Sequence, residues 1–398
     1  MKKVEKSLTC SIGKCKEVES RKTRVESECY DLFLNDTHGN SHPIAERNES
    51  EMEIEFDIAC RTEKREKASD DVLNSVVFSS IPDLDDVANK TRDGDVAKRL
   101  KLTYAHLIMA GSTRRFAVPG RFWQSELKQL REMFPNFCCV IDDVIAPHLA
   151  MIARYRKTHL MRPILVWGEP GIGKTAFCQA VKAILNTPML YLDCSTLDNS
   201  GALVGSSTVW SNSTPGAVFE TLAFGTSGES ATSNPLICLD EVDKAFDALR
   251  GNPLAPLYQL LETQTARSFS DRSIPNVIID ASKISWIACA NSVNNIPEAL
   301  LSRLVTYKIE LPDTAQQRAV IRRIYADIAK DLDERMSQHL ADDVLDDLIK
   351  LSPRQAKVLL QLAAAKALSK EKFKLEFSTL ASMRQRTCAV STSKMGFV

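Results

Sequence analysis

The sequence predicts an α/β fold: a parallel-sheet core followed by a small helical domain, and preceded by helices and a loosely ordered N-terminal region. Three observations carry this. Between residues 163 and 311, five short apolar runs alternate with amphipathic stretches, the pattern of parallel strands joined by helical crossovers. A glycine-rich turn, Gly168-Glu-Pro-Gly-Ile-Gly-Lys-Thr175, joins the first run to the first of those helices. After Leu311-Pro312-Asp313 the strand pattern stops and three helical segments follow.

Residues 1–100 are rich in Glu, Lys, Ser, Asp and Arg, with only short apolar clusters at Tyr30–Leu34 and Val72–Phe78. Such a segment is expected to be poorly ordered. Residues 101–160 read as a helical linker region. LTYAHLIMAG and FWQSELKQLREMF carry helix-period apolar positions, and VIDDVIAPHLAMIARYRK contains Pro147, expected to bend or restart its helix. The core is expected over 161–312. Its strands are PILVWG (163–168), PMLYLDC (188–194), PLICLDE (235–241), ISWIACA (284–290) and VTYKIEL (305–311). KTAFCQAVKAIL (174–185) reads as a helix, with further helical stretches around 216–224, 253–263 and 297–303; 205–216 and 225–234 read as surface loops. The helical lid is expected over 313–371, with Thr314 as an N-cap and Pro353 in a first turn, where proline is tolerated. Residues 372–398 form a tail.

Lys+Arg and Asp+Glu both number 51. That balance argues against a generalised nucleic-acid or anionic-membrane binder. No apolar run is expected to reach the roughly 18 residues of a membrane span, and the N-terminus lacks an apolar signal core, so a cytoplasmic protein is expected. Several of the 11 cysteines (Cys138, Cys139, Cys178, Cys238, Cys289) sit in apolar runs, where a reduced thiol behaves as a small hydrophobe. The set Cys10, Cys15, Cys29, His38, His42 and Cys60 lacks the paired spacing of a zinc site and reads as free thiols. Arg154–Lys157 reads as a solvated helix face.

The chemistry is concentrated in the core. Gly168, Glu169, Pro170, Gly171, Ile172, Gly173, Lys174, Thr175 and Ala176 fit a phosphate-binding loop, in the strand-to-helix context that such a loop requires. Its backbone N–H groups would turn inward on a phosphate chain, Lys174 would reach the β- and γ-phosphates, and Thr175 would ligate Mg²⁺. Asp240 and Glu241 end a strong strand: the first carboxylate suits Mg²⁺, the second an attacking water. Asn291 closes another strand, where an amide can orient that water. Arg354 opens the last helix, where a lone cation opposes the helix dipole and a nearby phosphate reverses the cost.

The motif set GEPGIGKT, LICLDEVDK, RGNP…LYQLLE…SFSD and WIACANSVNNIPEALLSRL resembles the AAA+ ATPases and, among them, the ATPase module of the Lon proteases, over roughly residues 130–368. The resemblance implies ATP and Mg²⁺ as ligands and a core with strand order 5-1-4-3-2. It implies sensor 1 at Asn291, an arginine finger at Arg303 acting on ATP in a neighbouring subunit, and sensor 2 at Arg354. A finger acting in trans implies a homo-oligomeric ring, expected to be a hexamer.

The sequence departs from the Lon pattern in three ways. It ends about 30 residues past the lid, so no protease domain is expected. Residues 1–100 do not look like the Lon substrate domain. Gly201-Ala-Leu-Val-Gly205 replaces an aromatic substrate grip, and an apparent insertion brings Trp210, a candidate substitute. ATP-driven remodelling or unfolding of a protein substrate is the leading reading. A nucleic-acid-linked loader and a slow ATP-gated scaffold are the alternatives.

Overall fold

The structure is a computed structural model that describes residues 74–81, 94–156, 161–210, 213–247 and 252–375. Chain order begins with two short strands, β1 (Asn74–Val76) and β2 (Phe78–Ser79), then helix α1 (Gly94–Ala110), β3 (Thr113–Arg115) and α2 (Trp123–Met133). Helix α3 (Ala146–Tyr155), β4 (Ile164–Trp167), α4 (Lys174–Leu185), β5 (Met189–Asp193) and α5 (Ala217–Phe224) follow. Then come β6 (Leu236–Asp240), β7 (Ile278–Ile279), β8 (Ser285–Ala290) and β9 (Val305–Lys308), and the lid helices α6 (Thr314–Leu332), α7 (Asp342–Leu348) and α8 (Pro353–Leu368).

Five parallel strands form the central sheet in the order β5-β6-β8-β4-β9. Numbered along the core, that is 5-1-4-3-2, as the family resemblance implied. The strands are apolar almost throughout because both faces are covered. Alternation divides each strand between two cores: Leu165, Ile237 and Ala288 face one, Ile164, Cys238 and Ile287 the other. The second core takes α2, α3 and α4, where Phe137 stacks on Phe177 at 4.4 Å and Phe134 meets both edge-on. Parallel register places Gly168, Asp193, Asp240 and Asn291 at one edge of the sheet.

Ordered structure extends further toward the N-terminus than expected. The boundary at residue 100 falls inside α1, which starts at Gly94 and buries Val96, Leu100, Tyr104 and Leu107 along one face. The apolar cluster at Val72–Phe78 contributes β1, paired with β3, and β2, paired with β7 about 200 residues away. Phe78 is 1% exposed and meets Phe219 edge-on at 5.9 Å. All of 1–73 lies outside the described residues, including the Cys/His set read there as free thiols, and so does 376–398.

Several local expectations need correction. The segment around Pro147 does not restart. A π-helical turn, Ile141–Ile145, precedes α3, and Ala146 N–H donates to the Ile141 carbonyl five residues back, widening the helix just before a residue with no N–H to give. The helical run Pro135–Tyr155, 21 residues with an 18-residue window at mean hydropathy 1.4, is by length and composition long and apolar enough to cross a membrane, contrary to expectation. Here its Phe137, Val140, Ile141, Ile145, Leu149 and Ile152 are buried in the second core. Cys138 and Cys139 are exposed, because Phe137 and Val140 take the inward positions of that turn. The stretch 253–263 gives two short turns, Leu257–Leu260 and Thr263–Ala266, separated by an extended Glu262. The N-cap of α6 is Asp313, not Thr314: its carboxylate accepts from Gln316 N–H at 2.8 Å and Gln316 returns a bond at 3.0 Å. Ser352 and Gln355 form the same box on α8, with Pro353 at its first turn.

One buried cation ties the N-terminal elements to the core. Arg114, 6% exposed, donates to the carbonyls of Leu222 and Ala223 at the end of α5 and to those of Ala110, Gly111 and Thr113, with its guanidinium 4.9 Å from the Phe78 ring. Burial lowers its pKa. These acceptors are all backbone carbonyls, so the planar fork of five donors matters as much as the charge. Arg114→Ala leaves these carbonyls short of partners and is expected to cost about 3 kcal/mol in denaturant unfolding. Arg114→Lys recovers only part of that loss.

Candidate nucleotide site

The site is built where β4 ends and α4 begins. Gly168 N–H donates to the Ala290 carbonyl at 3.2 Å, tying the loop to β8. A Cβ on Gly168 would lie 2.3 Å from the Ile309 carbonyl oxygen, so only glycine fits there. Gly171 has φ +82°, and a Cβ on it would lie 3.4 Å from both Ser352 and Arg354 of the lid. Ile172 is buried and anchors the loop, whereas Glu169, Pro170, Thr175 and Ala176 are exposed and Gly173 is half-buried. The loop thus opens α4 with backbone donors and a lysine directed at one place, an arrangement suited to a phosphate chain.

Lys174 is 8% exposed. Its Nζ donates to the carbonyls of Gly168 at 2.8 Å and Glu169 at 3.0 Å, and to Asn291 Oδ1 at 3.0 Å. Burial pushes the ammonium below the usual lysine range, opposed by Cys289 and by the carboxylates of Asp240, Asp243 and Glu241. A buried ammonium facing acceptors rather than a paired carboxylate is prepared for an incoming anion.

Asp240 sits at the end of β6, 8% exposed. Its Oδ2 accepts from Thr175 Oγ1 at 2.7 Å and from the Tyr191 hydroxyl at 2.8 Å, and its Oδ1 accepts from Glu241 N–H at 2.9 Å. The hydroxyl and carboxylate oxygens of Thr175 and Asp240 are hard donors of the kind Mg²⁺ takes, so these residues fit that ion. Glu241 has a left-handed backbone (φ +53°), and its Oε2 pairs with Lys244 Nζ at 2.6 Å. Asn291 is fixed from its backbone side: its N–H donates to Asp243 Oδ1 at 3.2 Å.

The structure therefore brings together Lys174, Thr175, Asp240, Glu241 and Asn291, and sets Arg354 beside Gly171 from the lid. Arg303 is engaged elsewhere. Its Nε lies 3.2 Å from Glu262 Oε1, its Nη1 donates to the Ala299 carbonyl at 2.6 Å, and its guanidinium sits 5.6 Å from the Tyr258 ring. Sequence reasoning missed Tyr191, Asp243 and Lys244. Asp243 and Lys244 were visible in the LDEVDK run. Tyr191 carried no signal except its place on the strand next to β6. Burial and the Asp240 bond together push its phenol pKa well up.

The candidate substrate loop also resolves. Val204 is 4% exposed and belongs to the core, so it is not available as a grip. Trp210 is 66% exposed beside Val209 at 87%, so it is not packed beneath its own loop. The base of that excursion is closed by Asp271, 2% exposed, whose Oδ2 accepts from Gly216 N–H at 2.8 Å and whose Oδ1 accepts from Ser273 N–H and Oγ. Ser206 N–H donates to the Thr214 carbonyl and Thr214 N–H to Ser206 Oγ. In the basic run, Arg154 lies over the exposed Tyr155 ring at 5.4 Å.

Residues 164–312 match the model of the ATPase family associated with various cellular activities (AAA). Those residues form an AAA-type domain. Its curated relatives include a peroxisomal Lon protease homolog 2 of Spinacia oleracea, 29% identical over 203 residues, covering 50% of this chain and 22% of that protein. A mitochondrial Lon protease homolog of Homo sapiens is 29% identical over 228 residues, covering 56% of this chain and 23% of that protein. The chain thus spans less than a quarter of the length of these relatives. Among solved structures, a Thermotoga maritima RuvB Holliday junction branch migration motor aligns at TM-score 0.42 and 14% identity over 67% of this chain and 69% of that one.

Tyr191→Phe removes one of the donors on Asp240 while leaving the Thr175 bond. The concentration of Mg²⁺ needed for half-maximal nucleotide binding is expected to rise about tenfold, as for other partners of metal-holding carboxylates. A titration at fixed nucleotide checks this.

Proposed function

We propose that the chain is a Mg²⁺-dependent ATP hydrolase that works as a homo-oligomeric ring and uses its cycle to remodel or unfold a protein substrate. The observation that carries the hydrolytic part is the convergence of the buried Lys174 ammonium, the Thr175–Asp240 pair, Glu241 and Asn291 at one sheet edge.

In this reading the phosphate loop wraps the triphosphate, and Lys174 moves from the Gly168 and Glu169 carbonyls to the β- and γ-phosphate oxygens. Thr175 and Asp240 would hold Mg²⁺, which when bound would supply charge neutralisation to the phosphates. Asn291 and Glu241 orient a water in line with the γ-phosphorus. The new P–O bond forms from that water, the bond to the β,γ-bridging oxygen breaks, and the water's proton passes to the Glu241 carboxylate. For that, Glu241 must release Lys244. Arg303, from a neighbouring subunit, would stabilise charge on the leaving phosphoryl group. Arg354 reaches the phosphate side from the lid, so loss of the γ-phosphate changes what holds the lid helices against the core.

The remodelling part is supported by the exposed Val209–Trp210 tip on a loop closed at its base, which suits gripping an apolar side chain. It is also supported by the balanced charge, which does not favour a nucleic-acid track.

Steady-state turnover of the full chain, with and without an unfolded polypeptide and with and without DNA, tests both parts. Glu241→Gln is expected to lower turnover about 100-fold or more while ATP still binds. Trp210→Ala is expected to keep basal turnover and lose stimulation by polypeptide. Wild-type turnover no higher than that of Glu241→Gln would end the hydrolysis reading; stimulation by DNA alone would end the remodelling one. Arg303→Ala is expected to cost about 1,000-fold in turnover. If the finger acts in trans, mixing it with Glu241→Gln restores part of the activity, whereas neither variant alone does.

A further inference from the structure

Directly behind the nucleotide site, α4, β6 and β8 enclose three sulfurs. Cys178, Cys238 and Cys289 are each fully buried, and their Sγ atoms all lie within 4.8 Å of one another. Cys178 Sγ is 3.6 Å from Cys289 Sγ. The three residues come from three elements, and each stands within one helical turn or two strand positions of a site residue: Thr175, Asp240 and Asn291 respectively. The hydrolysis scheme uses none of these thiols.

The spacing fits a three-coordinate soft ion. With bonds of about 2.3 Å, a pyramidal three-sulfur shell sets the sulfurs about 3.5 Å apart and a planar one about 4.0 Å, and the 3.6 Å between the Cys178 and Cys289 sulfurs matches the pyramidal shell that a trivalent ion with a lone pair adopts. Thiolates select soft ions. Among the described residues no histidine or carboxylate joins the group, so the fourth donor that structural zinc requires is missing. Charge counts further. Three thiolates around a divalent ion carry −1 and around Cu(I) −2, and either charge would be buried among apolar side chains of the second core, where the Asp240 carboxylate beside Cys238 raises the cost and the Lys174 ammonium beside Cys289 offsets part of it. Around a trivalent ion the complex is neutral.

We propose that Cys178, Cys238 and Cys289 form a binding site for a trivalent, three-coordinate, thiol-seeking species of the arsenite class. Binding is a ligand exchange without redox change. Three As–O bonds of arsenous acid break, three As–S bonds form, the three thiol protons leave with the hydroxyls as water, and arsenic stays trivalent. The product is a covalent tie between the phosphate-loop helix and two strands of the sheet. The pocket is closed to solvent, so loading requires α4 to part from the sheet and is slow.

The test uses the full chain with Cys10, Cys15, Cys29, Cys60, Cys138, Cys139 and Cys388 replaced by serine. Sodium arsenite is supplied either by incubation for hours at 37 °C or during expression. Elemental analysis after gel filtration is expected to find one arsenic per chain, with three titratable thiols lost and a raised thermal midpoint. Cys178→Ala and Cys289→Ala, each confirmed folded by circular dichroism, are expected to lose at least nine-tenths of the arsenic. Absence of retained arsenic under both loading conditions overturns the proposal, as does equal retention by the alanine variants. Retention of zinc supplied in the same way, in preference to arsenic, overturns the charge argument. These readouts do not depend on ATP hydrolysis.

Discussion

The geometry of the site depends on one carboxylate. Asp240 receives the Thr175 hydroxyl from the phosphate-loop helix, the Tyr191 hydroxyl from the neighbouring strand, and the N–H of Glu241. Two elements, α4 and β5, are thereby indexed to one side chain at the end of β6, and the residue that follows it is held as well. The parallel sheet makes this economical: parallel register brings the ends of β4, β5, β6 and β8 to the same edge, so residues more than 100 positions apart need no special loops to meet. Lys174 and Asn291 are joined across the same edge, and Asp243 steadies Asn291 from behind.

What could be read from the sequence follows the range of the interactions. The five core strands, α4 and the phosphate loop were legible because each is encoded locally, by apolar runs and by glycines at fixed spacing. Lys174, Thr175, Asp240, Glu241 and Asn291 follow from them. Tyr191 was not legible, because its role exists only through the lateral pairing of β5 with β6. Nor was the integration of residues 74–115. Two- and three-residue strands have no periodicity, and their partners at Thr113–Arg115 and Ile278–Ile279 lie far along the chain. The exposure of Cys138 and Cys139 was misjudged for a related reason: side-chain direction in a single turn is settled by tertiary packing.

Arg114 and Arg354 show two uses of one side chain. Arg114 is enclosed and spends its donors on backbone carbonyls, joining the N-terminal elements to α5. Arg354 is exposed, in the first turn of a helix whose Ser352–Gln355 box satisfies the Ser352 and Gln355 amides without using the Arg354 side chain. Its charge is therefore left for whatever comes to lie against Gly171.

The closed base of the 205–216 excursion has a mechanical consequence. Asp271 holds Gly216 on one side, and the adjacent Arg272 N–H is bonded to the Val204 carbonyl on the other, so both stems of the loop are fastened to a single short segment. Tension applied at Trp210 is divided between two anchored stems and loads their bonds side by side, not one after another. If the loop grips a substrate as proposed, a pull on it reaches the body of the domain through both stems at once.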